Sequence, residues 1–420
     1  MYDEGESSGV SLDKSAAKDK IEDLPHIFKV FARISEEEDV EISLNITILY
    51  AAKCKPENRL HFCTLRRLTL PPQYFCICPH GKMQTTFHIQ IRISIRSLAM
   101  FLVKAWRSTA FGLYGYTNFT KSGFMEHSKK FNPEDMEARI EGKNCIITGA
   151  NSGIGYATAE GLASRGATVY MVCRNKERGE AALSKIQTAT GNTNVHLEVC
   201  DISSIRDIKS FASSFSSKDV PVHILVNNAG FLENERIITS EGHEMNFAVN
   251  VLGTYTMTEL MLPLMEKAAP DARVITVSSG GMYTAPLTED LQFSSNKFNG
   301  VEQYARNKRI QVAMTEKWAE LYKDRGLGFY SMHPGWAETP GVAKSLPGFS
   351  NALSGKLRTS EEGADTVIWL ALQPKEKLTS GGFYFDRAEA PKHLPLSATK
   401  VSDNAIDSIV RTLSGLQSSL

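Results

Sequence analysis

From Gly142 to about residue 388 the chain alternates short apolar runs with helical stretches, and this rhythm limits the possible fold more than any other feature. "NCIITG" precedes the helical "GYATAEGLASRG", and "ATVYMVCR" precedes "NKERGEAALSKIQTAT". "NVHLEVCD", "VHILVNNAG", "ARVITVSS", "LGFYSMHPG" and "SGGFYFD" extend the series, with helical text between most of them. Parallel strands need crossover connections, usually helices, so the pattern predicts an α/β fold: a doubly wound parallel sheet with helices on both faces. Ligands of such a domain lie beyond the carboxyl ends of its strands. No linker or internal repeat interrupts the text, so residues 140–390 are expected to form a single domain.

Outside that stretch the character changes. Residues 1–99 are heterogeneous and are expected to be an irregular, disordered extension with no part in the chemistry. Within them "FHIQIRISIR" alternates like a half-buried strand, yet no matching partner follows it. The aromatic-rich lead-in, 100–139, opens with "MFLVKAWRSTAFGLYGYTNF", for which two readings stand over 100–118. A helix packed on its own domain is favoured; an amphipathic helix lying on a membrane is the other. Residues 391–420 are expected to be a C-terminal tail.

Lys+Arg and Asp+Glu both number 47 in 420 residues, so no net charge recruits nucleic acid. Cys145, Cys173 and Cys200 fall in strand-like runs, and Cys54, Cys63, Cys76 and Cys78 lack zinc-site spacing, so free thiols and no metal are expected. The chain has no uninterrupted apolar run of spanning length. A cytoplasmic location follows, with the periphery of a membrane or lipid droplet as the alternative.

The first strand of the series enters its helix through "TGANSGIG": Thr148, Gly149, Asn151, Ser152, Gly153, Ile154 and Gly155. Glycine there permits a tight turn and lets backbone amides approach a pyrophosphate at the helix N-terminus. Between a strand and a helix, this turn predicts nucleotide binding. Farther on, Tyr304 and Lys308 lie four apart, on one face of a helix. A tyrosine beside a lysine is a plausible proton donor to a carbonyl, which the hydroxyl of Ser279 could orient. Each feature alone has an ordinary structural reading: a turn, a surface pair, a strand end.

In order along the chain, Thr148-Gly149-x-x-x-Gly153-x-Gly155, Asn227-Asn228-Ala229-Gly230, Tyr304-x-x-x-Lys308 and Pro334-Gly335 resemble the motif series of the short-chain dehydrogenase/reductase family. "CRNKERGEAAL", "SSGGM" and "YARNKRIQV" are similar to its retinol-dehydrogenase-like branch. The resemblance implies a Rossmann fold and an oxidoreductase that interconverts an alcohol and an aldehyde or ketone, on a lipophilic small-molecule substrate. It implies that Tyr304 is the general acid, lowered from a pKa of roughly 10 by Lys308, which also holds the cofactor ribose. Ser279 would bond the substrate oxygen and Asn250 a relay water. Asp201 would lie beside the adenine ring, with Asn228, Ala229 and Gly230 on the adenosine side. Thr339 would meet the carboxamide, and Pro334 and Gly335 would shape that wall. A homodimer through the helices after Asn250 and Tyr304 is also implied. A non-catalytic NADP-binding regulator on the same fold is the alternative.

Two departures from the family pattern matter. Ser279 and Tyr304 lie 25 positions apart, where about a dozen is usual. The extra "TEDLQFSSNKFNG" is polar and is expected to be a loop insertion lying over the substrate pocket. The second strand ends in Cys173-Arg174-Asn175, without the acidic residue that accepts a ribose 2′-hydroxyl. Arg174 suits a 2′-phosphate, so NADP(H) is expected over NAD(H).

Overall fold

A computed structural model describes residues 41–53, 75–77, 82–295, 297–400 and 403–419. The chain divides into two compact units, Met1–Ala105 and Trp106–Leu420. In the first, β1 (Glu41–Lys53) and β3 (Lys82–Ser94) pair antiparallel along their whole lengths, and β2 (Phe75–Ile77) pairs with the other edge of β3. The "FHIQIRISIR" run therefore has a partner after all. It lies upstream, in "EISLNITIL", whose isoleucines and leucine recur every second residue as a strand face requires. Cys54, Cys63 and Cys78 fall outside the described residues.

The second unit holds an eight-stranded sheet. Its strands in chain order are β4 (Asn144–Thr148), β5 (Thr168–Cys173), β6 (Val195–Val199), β7 (Ile224–Asn227), β8 (Arg273–Val277), β9 (Gly328–Met332), β10 (Phe383–Phe385) and β11 (Ala388–Glu389). The spatial order is β11-β10-β9-β8-β7-β4-β5-β6, and only β11 runs antiparallel to its neighbour. The order reverses between β4 and β7, which opens a crevice at their carboxyl ends. β7, β8 and β9 are buried along their full lengths, so they read as unbroken apolar runs.

Alternate residues of β4 and β5 serve two separate cores. Ile146, Tyr170 and Val172 face one; Cys145, Ile147, Val169 and Met171 face the other. The first core is closed by helices α5 (Ile205–Ser216), α6 (Thr254–Glu266) and α7 (Gly300–Leu321). The second is closed by α3 (Gly153–Ala163), α4 (Lys176–Thr190) and α10 (Ser360–Leu372). Sheet and flanking layers form the doubly wound domain the alternation predicts.

Three segments outside the regular alternation join this unit. Helix α1 (Ile95–Asn118) is followed by the short α2 (Lys121–Ser128). From Trp106 onward α1 packs on the domain: Arg107 Nε donates to Ser397 O (2.6 Å) and Trp106 Nε1 to Pro395 O (3.3 Å). The next residue, Phe119, is buried against Met282, Phe383 and Phe385. The chain then meets Arg358, whose Nε and Nη2 donate to the carbonyls of Phe119 (3.0 Å) and Asn118 (2.7 Å). At the other end, α11 (Asp403–Ser418) lies on both α6 and α7, burying Ile409 and Leu413 beside Tyr255 and Trp318.

The insertion after Ser279 is not a cover for the cleft. Leu291 and Phe293 are buried, Gln303 Nε2 donates to Leu291 O (2.8 Å), and the Arg306 guanidinium lies over the Phe293 ring. Two of the three apolar residues in this mostly polar run anchor it to α7, away from the site.

Candidate active site

After β4 the chain turns through Gly149, Ala150, Asn151 and Ser152 into α3. Gly149 and Gly153 have φ of +66° and +58°, a region that favours glycine. A Cβ on Gly155 would strike the Asn228 amide and the Gly149 carbonyl, so α3 begins flush against the end of β7. Ser152 occupies the N-cap place without making a capping bond, which leaves the first-turn amides with no side-chain partner.

Every residue given a catalytic or cofactor-binding role from the sequence, except Thr148 and Asn250, lines one cleft of about 760 Å³. Thr148 works behind it. Its hydroxyl accepts from the amides of Asn228 (3.0 Å) and Ala229 (2.9 Å), and Asn228 Nδ2 donates to Thr148 O (2.8 Å). These bonds clamp the two strand ends between which the sheet order reverses. Asn250 is fully buried in a π-turn, Ala248–Gly253. Its Oδ1 accepts from Phe231 N (2.9 Å), its Nδ2 donates to Phe231 O (2.7 Å), and its carbonyl accepts from Gln311 Nε2 (2.6 Å). It thus holds Phe231, which does line the cleft. A Cβ on Gly230 would lie 3.6 Å from both Asn250 Oδ1 and Lys308 Nζ, so amide and ammonium flank one glycine.

At the centre the Tyr304 phenol and the Ser279 hydroxyl are neighbours in the cleft. Ser279 Oγ accepts from Gly281 N (3.1 Å) at the start of the turn Gly280–Thr284. Lys308 Nζ donates to Val277 O (2.9 Å) and lies 5.4 Å from the Tyr304 ring centre. Burial pushes Tyr304 up to about 12, against a downward pull from Ser279, and lowers Lys308 to about 7. The expected lowering of Tyr304 by Lys308 does not emerge. Desolvation governs both groups, and a lysine held near 7 carries only part of a full charge at neutrality.

Arg174 lies exposed at the rim, its Nη1 4.0 Å from Asp201 Oδ2. Asp201 Oδ1 in turn accepts from Ser203 N (2.9 Å) and Oγ (2.8 Å). Arg178, in the first turn of α4, adds a second guanidinium to the same wall. Across the cleft, Gly335 (φ +77°) lies against Arg358 where a Cβ would not fit. Thr339 caps α8 (Pro340–Ser345), which leads into the short α9 (Pro347–Ala352); it accepts from Val342 N (3.2 Å) and touches the space beside Gly153. A glycine turn without Cβ atoms, an uncapped helix start and two guanidiniums suit a dinucleotide.

The model of the family described as short chain dehydrogenase matches residues 143–348. Dehydrogenase/reductase SDR family member 12 from Bos taurus is 44% identical over 313 residues, 74% of this chain and 98% of its own length. The chain belongs to the short-chain dehydrogenase/reductase family. It is therefore an NAD(P)-dependent oxidoreductase acting on CH–OH and C=O groups. The human family member 12 is 42% identical over the same shares of both chains, and human retinol dehydrogenase 12 is 36% identical over 59% of this chain and 79% of its own. Among solved structures, an uncharacterized protein from Mycobacterium Paratuberculosis has the same fold, with a TM-score of 0.53 at 23% identity over 67% of this chain and 95% of that one.

Reading the short-chain dehydrogenase motifs alone misses several cleft residues. Phe111, Trp336 and Phe349 line the end away from the glycine turn. Phe111 carries no positional signal, since it precedes the first motif strand by more than thirty residues. Trp336 directly follows Pro334-Gly335 and was within reach of the motif reading.

Proposed function

We propose that the protein is an NADP(H)-dependent carbonyl reductase and alcohol dehydrogenase acting on lipophilic aldehydes or ketones. What carries this reading is the meeting of Ser279, Tyr304 and Lys308 beside the glycine turn in one cleft. When bound, the nicotinamide supplies or accepts the hydride. Tyr304, protonated throughout the neutral range, gives its phenolic proton to the carbonyl oxygen and recovers it from the alcohol in reverse. Ser279, beside that phenol in the cleft, orients the same oxygen. Lys308 fixes α7 to the end of β8 and offers its ammonium to the ribose.

NADP(H) preference is supported by Arg174 and Arg178 at the rim and by the absence of a carboxylate at the end of β5. Steady-state kcat/KM with NADPH and NADH over a panel of aldehydes and ketones tests it. At least a tenfold preference for NADPH is expected; parity would remove the assignment. The intact serine, tyrosine and lysine favour this over a non-catalytic regulator.

A cytoplasmic setting is part of the same reading. Among the described residues no helix is long and apolar enough to cross a membrane. Leu113 and Tyr116 stay exposed on α1, which supports a peripheral contact with a membrane or lipid droplet, tested by flotation with liposomes. Because α11 covers α6 and α7, a homodimer through those helices is disfavoured. Residues 1–99 take no part in the chemistry, and their removal should leave turnover unchanged.

A further inference from the structure

The cleft has two unlike ends, and the second is built partly by a helix that precedes the alternating domain. At the first end are the glycine turn, Arg174 and Asp201. At the second, beyond Ser279 and Tyr304, the wall is Phe111, Trp336, Leu346, Phe349, Val301 and Thr284. None of these six carries a charge, and three are aromatic; Lys344 and Ser345, which also line the cleft, are engaged by Glu233 (3.9 Å) and by Leu232 O (2.7 Å).

Phe111 is packed among other rings. Its ring meets Phe119 at 6.2 Å and Trp336 edge-on at 6.3 Å, and Trp336 meets Phe349 edge-on at 5.2 Å. One turn along α1, Gly115 is buried, and a Cβ there would come within 2.5 Å of the Trp336 indole. The helix therefore approaches Trp336 as closely as a backbone can. Arg107 ties the preceding turn to Ser397 O and, at 3.4 Å, to the carbonyl of Thr284, itself a cleft residue. The helix thus belongs to the site's framework.

We propose that Phe111 is a specificity-determining residue, and that with Trp336 and Phe349 it selects uncharged carbonyl compounds with an aromatic or long-chain body. The inference rests on the carbonyl-reductase reading above. A carbonyl placed at Tyr304 and Ser279 leaves its remaining bulk at the aromatic end, where Thr284 brings the one hydroxyl of these six residues and already donates it to Gly281 O (2.8 Å). Flat or extended apolar bodies gain contact with rigid rings. Small aldehydes reach the catalytic groups without touching Phe111.

The test compares wild type with Phe111→Ala and Phe111→Trp, using 2-naphthaldehyde, decanal and propanal as substrates. Binding of 2-naphthalenemethanol and decanol in the presence of NADP⁺ is measured separately by calorimetry. Phe111→Ala should weaken binding of both alcohols, and kcat/KM for both large aldehydes, by about tenfold, the equivalent of about 1.4 kcal/mol. Propanal turnover and NADP⁺ affinity should stay within about twofold. Phe111→Trp, which fills the space, should reject the naphthyl probes while keeping propanal. Equal losses for large and small substrates would show a packing role and overturn the inference, as would a wild type that binds neither alcohol. Binding of the alcohols with the predicted Phe111 dependence but without turnover of any aldehyde would instead overturn the reductase reading and leave this one standing.

Discussion

Lys308 and Val277 are joined by a buried hydrogen bond of 2.9 Å from ammonium to strand-end carbonyl, and one residue on Ser278 Oγ donates to Lys308 O at 2.9 Å. The two bonds form a reciprocal strap that keeps α7 on the end of β8, so Tyr304 faces Ser279. The strap has a signature in pH. Lys308 is lowered to about 7 from an ordinary 10.5, so between those values the unfolded chain binds more protons. Stability should therefore rise as pH increases from 7. Tyr304, Cys145 and Cys200 are each raised to about 12, so above roughly 9 the native state retains protons that the unfolded chain loses, and stability should fall. Melting temperature measured without added cofactor should peak between pH 8 and 9; a monotonic fall from pH 7 would contradict the burial of Lys308.

Tyr304→Phe should leave NADPH binding intact while removing the transferable proton. Turnover is expected to drop at least about 100-fold. In the wild type, alcohol oxidation should accelerate with rising pH as more phenolate forms, whereas reduction should stay nearly level through neutrality. Fluorescence titration of NADPH alongside rates in both directions checks this. A mutant retaining a tenth of the wild-type rate would place the proton donor elsewhere.

Arg174→Asp should shift preference toward NADH. A carboxylate there repels a 2′-phosphate and accepts from a 2′-hydroxyl. Because Arg174 lies 4.0 Å from Asp201, the variant also sets two carboxylates near each other. Arg174→Ala is the cleaner companion, and it should weaken NADPH without improving NADH. Kd values for both cofactors decide the matter.

Arg358 meets Asp386 in a buried two-point ion pair, 2.6 and 2.8 Å, with His127 Nδ1 also 2.6 Å from Asp386. Arg358→Met leaves the carboxylate buried without its main partner, at a cost of about 3–5 kcal/mol. Urea unfolding should show it. Removing both partners, as Arg358→Met with Asp386→Ala, should cost less than the single change if the charge itself is responsible.

Leu291→Ala and Phe293→Ala should each destabilise the fold by about 2–5 kcal/mol, as loss of a buried side chain does. Relative kcat/KM across large and small aldehydes should not move. A changed substrate ranking with unchanged stability would return this segment to the mouth of the cleft.

Much of this architecture was legible in the text. Strand–helix alternation predicts the sheet because parallel pairing leaves few other arrangements, and a glycine that must lack a Cβ is visible as a letter. The meeting of Ser279 and Tyr304 was also within reach, since one follows the end of β8 and the other stands near the start of α7. Other features depend on contacts that no local pattern encodes. "FHIQIRISIR" lacked a partner only because its partner stands before it, across residues with no turn signal. Leu291 and Phe293 are two of three apolar letters in a mostly polar run, and their anchoring on Gln303 and Arg306 is settled by tertiary packing. Burial likewise reverses the electrostatics of Tyr304 and Lys308, since desolvation depends on everything packed around them.

Arg358 has a consequence in the order of synthesis. It captures carbonyls of Asn118 and Phe119 from 240 and 239 positions away. Until a growing chain has delivered residue 358, and Asp386 after it, the lead-in has none of these bonds to hold it. Contacts this distant in sequence form late, because a long loop must close before they return any stabilisation. The wall of the cleft that bears Phe111 is therefore assembled after the strands and glycine turn of the other end, and a chain emerging from the ribosome acquires its nucleotide cradle before its far aromatic wall.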